Sequence, residues 1–144
     1  TISMPAIFKY SFKVAEEAID GNGHASNVEY VRWMQEAALS HSDTQGWTSE
    51  RYKAIGATWV VRSHFIEFFQ PAFAGEKISV FTWVSDLGRI RSRRKYKILR
   101  VEDEKVLAQA ETDWVFVDAG SGRPRAIPEE VGEAFVLVNE DQEP

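Results

Sequence analysis

The chain has 144 residues, contains no cysteine and carries a formal net charge of −5 at pH 7. This length fits one domain, which at this size buries about 70% of the surface that its unfolded chain exposes and needs no metal or disulfide to fold. The composition excludes a disulfide framework, a thiol nucleophile and a cysteine-ligated zinc site, and the negative charge argues against a general nucleic-acid binder.

The sequence also lacks the patterns that lead to a membrane. Its first residues show no basic patch followed by an apolar run, as a signal peptide would. No apolar run approaches the roughly 20 residues needed to span a bilayer. Together with the absence of cysteine, this predicts a cytoplasmic protein without a membrane partner. Residues 1–138 are predicted to form one domain, and the acidic residues 139–144 a disordered tail, because charge and proline do not support packing.

The first third of the chain is predicted to contain one strand and one long helix. Residues 7–14 alternate loosely between apolar and polar side chains, as a strand does, and residues 20–23 form a turn with two glycines. The helix begins near Ser26 or Asn27 and ends at Gly46, and a short helical turn follows over residues 49–55. One apolar stripe recurs at helical spacing along the long helix: Tyr30, Trp33, Met34, Ala37, Ala38 and His41.

Beyond residue 56 the hydrophobic period changes to that of strands. Four long segments rich in Val, Ile, Phe, Trp and Thr are joined by short connections that favour antiparallel hairpins, and a small helix follows at the end. The segments are 58–70, 77–86, 89–102 and 104–117, and the helix is 128–134. A sheet of this kind buries its apolar face by wrapping around the long helix, which predicts an α+β fold. Its exposed edges predict a homodimer or a homotetramer.

Polar residues immediately precede the long helix, whose body is apolar. Asp20 lies in the turn, and the first N–H groups of the helix, near residues 24–27, have no partners within the helix. These donors and the positive end of the helix suit a carbonyl oxygen that gains negative charge. A nearby carboxylate can act as a general base for water or as a nucleophile. The segment therefore contains both groups that hydrolysis of an activated acyl group requires.

The same segment resembles the hotdog-fold thioesterases, in the branch that includes 4-hydroxybenzoyl-CoA thioesterase and long-chain acyl-CoA thioesterases. That branch typically has Asp, His, Asn and Tyr at the spacing found here for Asp20, His24, Asn27 and Tyr30. The resemblance covers nearly the whole chain, because it continues through residues 60–71, 75–78, 83–89, 114–118 and 122–124.

The resemblance implies a hotdog fold, with a long antiparallel sheet wrapped around one central helix. It implies hydrolysis of a fatty or aromatic acyl thioester of coenzyme A or of an acyl carrier protein, with no cofactor and no metal, since a thioester is already activated. Asp20 would be the catalytic carboxylate, and backbone N–H groups near Asn27 would hold the oxyanion. The His24 and Asn27 side chains would orient the carboxylate, the water or the thioester, and Gly23 and Tyr30 would contact the substrate.

Other interpretations of these residues stay open. Taken singly, Asp20 beside glycines is an ordinary turn former, and Asn27 is a helix cap. Ala18 stands where many relatives carry a second Asp, which leaves Asp20 to act alone. Asp20, Asn22 and His24 also correspond superficially to the Asp–Asn–His grouping of hotdog hydratases and dehydratases. A third alternative is an acyl-CoA-binding module without turnover.

A basic run from Arg89 to Lys97 stands out in this acidic chain. In a strand, the odd-numbered residues of this run lie on one face and the even-numbered residues on the other. The simpler interpretation is a solvated sheet face that discourages aggregation. The sharper interpretation is that Arg89 and Arg91 bind the phosphates of coenzyme A through their bidentate guanidinium groups.

Overall fold

The computed structural model describes residues 6–144. Its elements are β1 (Phe8–Lys13), α1 (Asn27–Thr44), α2 (Ser49–Ala54), β2 (Ala57–Phe68), β3 (Lys77–Leu87), β4 (Arg91–Arg100), β5 (Val106–Asp118) and α3 (Glu129–Glu133), with short 3₁₀ turns at Glu16–Ala18 and Glu140–Gln142. The predicted order of strands and helices is confirmed. The element ends differ from the predicted ones by no more than about two residues, which is the usual uncertainty of such boundaries.

All five strands form one antiparallel sheet in the order β1-β3-β4-β5-β2. The predicted hairpins β3–β4 and β4–β5 are confirmed, but the predicted hairpin between β2 and β3 is wrong. Because β2 pairs with β5, the connection over residues 69–76 crosses the end of the sheet instead of turning back. Polar contacts hold this crossing in place: the Phe69 N–H donates to the Leu107 carbonyl at 2.8 Å, and Arg100 Nη2 donates to the Pro71 carbonyl at 2.7 Å.

Helix α1 lies against the sheet with its apolar stripe turned inward. All six residues of the predicted stripe are buried, and Met34 and Ala37 are fully so. Ser26 caps the helix, since its side chain accepts a hydrogen bond from the Val28 N–H at 3.2 Å. Gly46, just past the helix, has φ of +90°, a conformation that suits glycine. Each large apolar side chain buried in this way contributes about 1.5–3 kcal/mol, which keeps α1 on the sheet.

Strand β4 alternates between two very different faces. Its even-numbered residues are buried, and its odd-numbered residues are exposed or half-buried, as the sequence predicts. The basic residues therefore do not all reach solvent. Arg94 has an even number and lies inside the protein with only 6% of its surface exposed.

Residues 139–144, which the sequence predicts to be a disordered tail, contact the outer face of β4. After the turn at Glu140–Gln142, Glu143 accepts a hydrogen bond from Lys95 Nζ at 2.8 Å, and the carbonyl oxygen of Pro144 accepts one from Lys97 Nζ at 3.0 Å. The basic outer face of β4 thus supplies the charges that hold an acidic segment. The division between a domain of residues 1–138 and a tail stays a prediction.

No helix in residues 6–144 is both long enough and apolar enough to cross a membrane. No group of three or more His, Cys, Asp or Glu side chains in the same range is placed to hold a metal ion.

Candidate active site

The candidate site is a tight loop immediately before α1. Ile19 and Ala25 form an antiparallel bridge at its base, and the Asp20 N–H donates to the His24 carbonyl at 2.9 Å. The Gly23 N–H donates to the Asp20 carbonyl at 3.1 Å, and Gly23 has φ of +83°. Glycine adopts this conformation without the steric cost that a side chain adds. The loop therefore holds Asp20 beside His24.

The Asp20 carboxylate has one engaged oxygen and one open oxygen. Its Oδ1 accepts a hydrogen bond from the Asn22 N–H at 2.9 Å, which makes the loop an Asx turn. Its Oδ2 has no hydrogen-bond partner among residues 6–144, and the side chain is half-buried. The first oxygen fixes the orientation of the carboxylate, and the second remains available to a water or a substrate.

The backbone N–H groups before α1 are partly occupied by the fold itself. The Ala25 N–H donates to the Ala72 carbonyl at 2.8 Å, and the Ser26 N–H donates to the Ala18 carbonyl at 3.0 Å. Neither of these two N–H groups has its partner within the helix, but neighbouring segments of the chain supply an acceptor for each, so they are not available to a substrate.

The N–H groups of His24 and Asn27 have no acceptor within the described part of the chain. These two donors flank the occupied ones at the positive end of α1. They are the backbone groups that can stabilise negative charge on a carbonyl oxygen.

The side chains of His24 and Asn27 do not contact the Asp20 carboxylate. His24 Nδ1 lies 3.3 Å from the Ala25 carbonyl oxygen, and Asn27 is exposed at the first turn of α1. Across residues 6–144, neither side chain forms a hydrogen bond with Asp20. Their role in orienting the carboxylate, the water or the thioester stays a prediction.

Tyr30, predicted to contact substrate, lies in the core below the loop and is 2% exposed. Its ring packs against Trp33 and Phe68, with ring centroids 4.7 and 5.1 Å away. Burial raises the pKa of the Tyr30 hydroxyl, while a hydrogen bond with the Ala72 backbone acts in the opposite direction. Gly23, the other predicted contact, is exposed in the loop.

Arg89 and Arg91 are exposed at the start of β4, far from this loop. The far end of the strand, Arg100, contacts the crossing segment at residues 71–72, which in turn supports the loop. The strand between Arg91 and Arg100 extends for about 30 Å at its usual rise per residue. The structure therefore does not bring the two arginines to Asp20 within one protomer.

Arg94 is a residue to which the sequence assigned no role. It lines a cavity of about 370 Å³ between the C-terminal half of α1, α2 and the start of β2. The signal that identifies it was available: the alternation of β4 places a charged residue on the buried face. That alternation does not determine which side chains from other elements surround Arg94.

Known proteins similar to this chain share both sequence and fold with it. A model of the thioesterase-like superfamily matches residues 14–135. A chloroplastic palmitoyl-acyl carrier protein thioesterase from Cuphea hookeriana is 28% identical over 132 residues, which cover 87% of this chain and 32% of the relative. The chain thus spans about a third of the length of this relative and of the similar curated acyl carrier protein thioesterases.

Two solved structures illustrate the likeness in fold. A 1,4-dihydroxy-2-naphthoyl-CoA thioesterase from Synechocystis has a TM-score of 0.82 at 22% identity, covering 89% of this chain and 94% of the other. A 12:0-ACP thioesterase from Umbellularia californica has a TM-score of 0.82 at 21% identity, covering 99% of this chain and 56% of the other. The predicted α+β hotdog fold is confirmed.

Proposed function

The chain belongs to the thioesterase-like superfamily, and we propose on that basis that it hydrolyses an acyl thioester to a free acid and a thiol, with Asp20 as the catalytic carboxylate. One observation carries this proposal. Among residues 6–144, the Oδ2 of Asp20 has no hydrogen-bond partner and the N–H groups of His24 and Asn27 have no acceptor, and all three groups lie at the N-terminal end of α1. Hydrolysis of a thioester needs this combination of a base or nucleophile and an oxyanion site.

In the proposed reaction, Asp20 Oδ2 takes a proton from a water that attacks the thioester carbonyl. In the alternative route, Oδ2 attacks the carbonyl itself and forms an anhydride that water then hydrolyses. In both routes the carbonyl oxygen gains negative charge, which the N–H groups of His24 or Asn27 and the end of α1 stabilise. Collapse of the tetrahedral intermediate then expels the thiolate. Label found in Asp20 after a single turnover in oxygen-labelled water would identify the nucleophilic route, since the general-base route places the label only in the product acid.

The proposed substrate is a fatty or aromatic acyl group on coenzyme A or on an acyl carrier protein. The names of the similar proteins support both carriers, because they include acyl carrier protein thioesterases and a CoA thioesterase. The proposed contact of Arg89 and Arg91 with phosphate groups requires a second protomer, since about 30 Å of strand separates Arg91 from the end of the sheet that supports Asp20.

A homodimer or homotetramer is supported by the edge strand β2. Within residues 6–144 this strand pairs only with β5, on one side. It carries exposed apolar side chains that a partner would cover: Val60, Val61, Phe65 and Phe68. A cytoplasmic location stays a prediction that rests on the cysteine-free composition.

The test is thiol release from a panel of fatty and aromatic acyl-CoAs, measured for the wild type and Asp20→Asn. The amide side chain keeps the acceptor for the Asn22 N–H but loses the base. We expect kcat/KM to fall by about 10²–10⁴-fold in the variant, which is the usual contribution of a general base, while the affinity for a non-hydrolysable acyl-CoA analogue is retained.

Glu17→Gln is the matched control, because Glu17 is an exposed carboxylate on the segment that leads into the same loop. It is expected to keep the wild-type rate. Full activity of Asp20→Asn would refute the site assignment. Tight binding of acyl-CoAs without thiol release from any of them would identify a binding module, and loss of enoyl absorbance from an enoyl-CoA would identify a hydratase.

A further inference from the structure

The cavity beside Arg94 is separate from the Asp20 loop. Its lining on α1 comes from the helix's C-terminal half, and Ala38 lies about 16 Å along the helix axis from Asn27. Its walls are largely apolar and include Ala38, Leu39, Trp47, Trp59, Trp114 and Phe135. A volume of about 370 Å³ falls within the range of small-molecule sites.

The Arg94 guanidinium is only partly hydrogen-bonded. Its Nη1 donates to His41 Nδ1 at 2.9 Å and to Thr82 Oγ1 at 3.2 Å, which engages both hydrogens of that nitrogen. A guanidinium has five N–H donors, so two on Nη2 and one on Nε remain. These three donors have no acceptor among residues 6–144.

The positive charge of Arg94 also lacks a counter-ion. Among residues 6–144 no carboxylate lies within 4.0 Å of its nitrogens, and residues 1–5 contain no Asp or Glu. Because Nδ1 of His41 accepts from Arg94, that nitrogen carries no proton of its own, and His41 brings no negative charge. The lining of the cavity includes two basic residues, Lys53 and Arg94, and no acidic one.

The remaining stabilisation of this charge is weak. The centre of the guanidinium lies 5.8 Å from the ring centroid of Phe135, at the outer limit of a cation–π contact. Burial lowers the pKa of Arg94, but a guanidinium stays protonated in proteins. A buried charge without a partner is costly, and such charges are normally paired.

We propose that this cavity binds an apolar carboxylate, with the alkyl or aromatic body between the tryptophan side chains and the carboxylate on Nε and Nη2 of Arg94. These two nitrogens form one edge of the guanidinium, and a carboxylate engages such an edge through two parallel hydrogen bonds. The carboxylate belongs either to a free organic acid or to the distal end of an acyl group. The second source rests on the proposed function.

Calorimetric titration of the wild-type protein with octanoate and with octanamide tests the proposal without any variant. The two probes share an apolar body and differ in charge. We expect octanoate to bind at least about tenfold more tightly, as charge-assisted hydrogen bonds contribute that much discrimination. Equal affinities, or no binding of either probe, would overturn the proposal.

Variants of two adjacent arginines localise the effect. Arg94→Met removes the buried charge, and Arg93→Met removes an exposed charge from the opposite face of β4. The preference for octanoate is expected to disappear in the first and persist in the second. Arg94→Lys keeps the charge but loses the planar guanidinium with its two parallel N–H donors, so an intermediate preference for octanoate is expected. An equal loss of the octanoate preference in Arg93→Met and Arg94→Met would contradict the assignment to Arg94. If Arg94→Met does not fold, the comparison of octanoate with octanamide in the wild type still decides the proposal.

Hydrolysis assays distinguish the two sources of the carboxylate. Octanoyl-CoA is compared with the CoA monothioester of the eight-carbon dicarboxylic acid. Faster hydrolysis of the dicarboxylic substrate, lost in Arg94→Met, assigns the carboxylate to the acyl group. Equal hydrolysis together with selective octanoate binding assigns it to a free acid. If neither thioester is hydrolysed, the proposed function fails, while the octanoate and octanamide titration still decides the carboxylate site.

Discussion

Two adjacent arginines of β4 show how far the environment changes the role of one residue type. Arg93 faces solvent, and its Nε lies 3.0 Å from Asp113 Oδ1. Arg94 faces inward and has no carboxylate partner among residues 6–144. An exposed pair contributes about 0–1 kcal/mol, whereas a buried unpaired charge opposes folding unless a ligand compensates for it. Alternation along the strand decides which of the two arginines is exposed and which is buried.

Asp113 gives a pH dependence that can be measured. The hydrogen bond from Arg93 holds the pKa of the Asp113 carboxyl below its ordinary value. A carboxyl whose pKa is lowered by folding stabilises the protein above its unfolded-state pKa, and that contribution is lost as the pH falls through the folded-state pKa. Since both side chains are about a third exposed or more, we expect a contribution of about 0–1 kcal/mol.

The measurement is urea denaturation of the wild type and Asp113→Asn at about pH 6 and about pH 3, on either side of the ordinary range for Asp. At the higher pH the wild type should have a larger free energy of unfolding than Asp113→Asn. This difference between the two proteins should shrink at the lower pH. A difference that does not change with pH would show that the ion pair does not contribute.

At the scale of elements, α1 connects the candidate site to the core. Its first turn presents the Asn27 N–H beside the Asp20 loop, and its body buries the apolar stripe against the sheet. The loop is in turn tied to the crossing segment by the bond from the Ala25 N–H to Ala72. The position of the proposed oxyanion donors therefore depends on the packing of the whole helix.

Met34→Ala tests this packing. Met34 is fully buried in the stripe, so its truncation should lower the free energy of unfolding by about 2–5 kcal/mol through lost contacts and a residual cavity. Val28→Ala on the same helix is the control, because Val28 is 75% exposed and should change the stability by less than about 0.5 kcal/mol. Urea denaturation measures both, and equal effects would contradict the orientation of α1.

For the whole molecule, the open edge of β2 is the feature that invites association. A sheet edge with unpaired backbone groups and exposed apolar side chains is a template for pairing with another chain.

Phe65→Lys tests the association through β2. Phe65 is 60% exposed on the edge strand, and a charge there should disfavour pairing with another chain. We expect light scattering to give a dimer or tetramer mass for the wild type and a smaller mass for the variant. Val101→Lys, at an exposed position beyond β4, should keep the wild-type mass. A monomeric wild type would refute the predicted oligomer, and an unchanged mass for Phe65→Lys would place the interface elsewhere.

The features that local patterns decide could be predicted from the sequence. The stripe of α1, the two faces of β4 and the turn at Asp20 all depend on residues close together in the chain, because helices, strands and turns have fixed periods and preferred residues. The spacing of Asp20, His24, Asn27 and Tyr30 also identified the fold through its resemblance to a known family.

Contacts between distant segments were decided only by the tertiary structure. The pairing of β2 with β5 overrode the hairpin that a short connection suggests, since pairing partners are chosen by the packing of the whole sheet. The same packing supplied the acceptors for the Ala25 and Ser26 N–H groups. It also left Arg94 without a carboxylate partner among residues 6–144, because a strand's alternation determines that a side chain is buried but not which groups from other elements surround it.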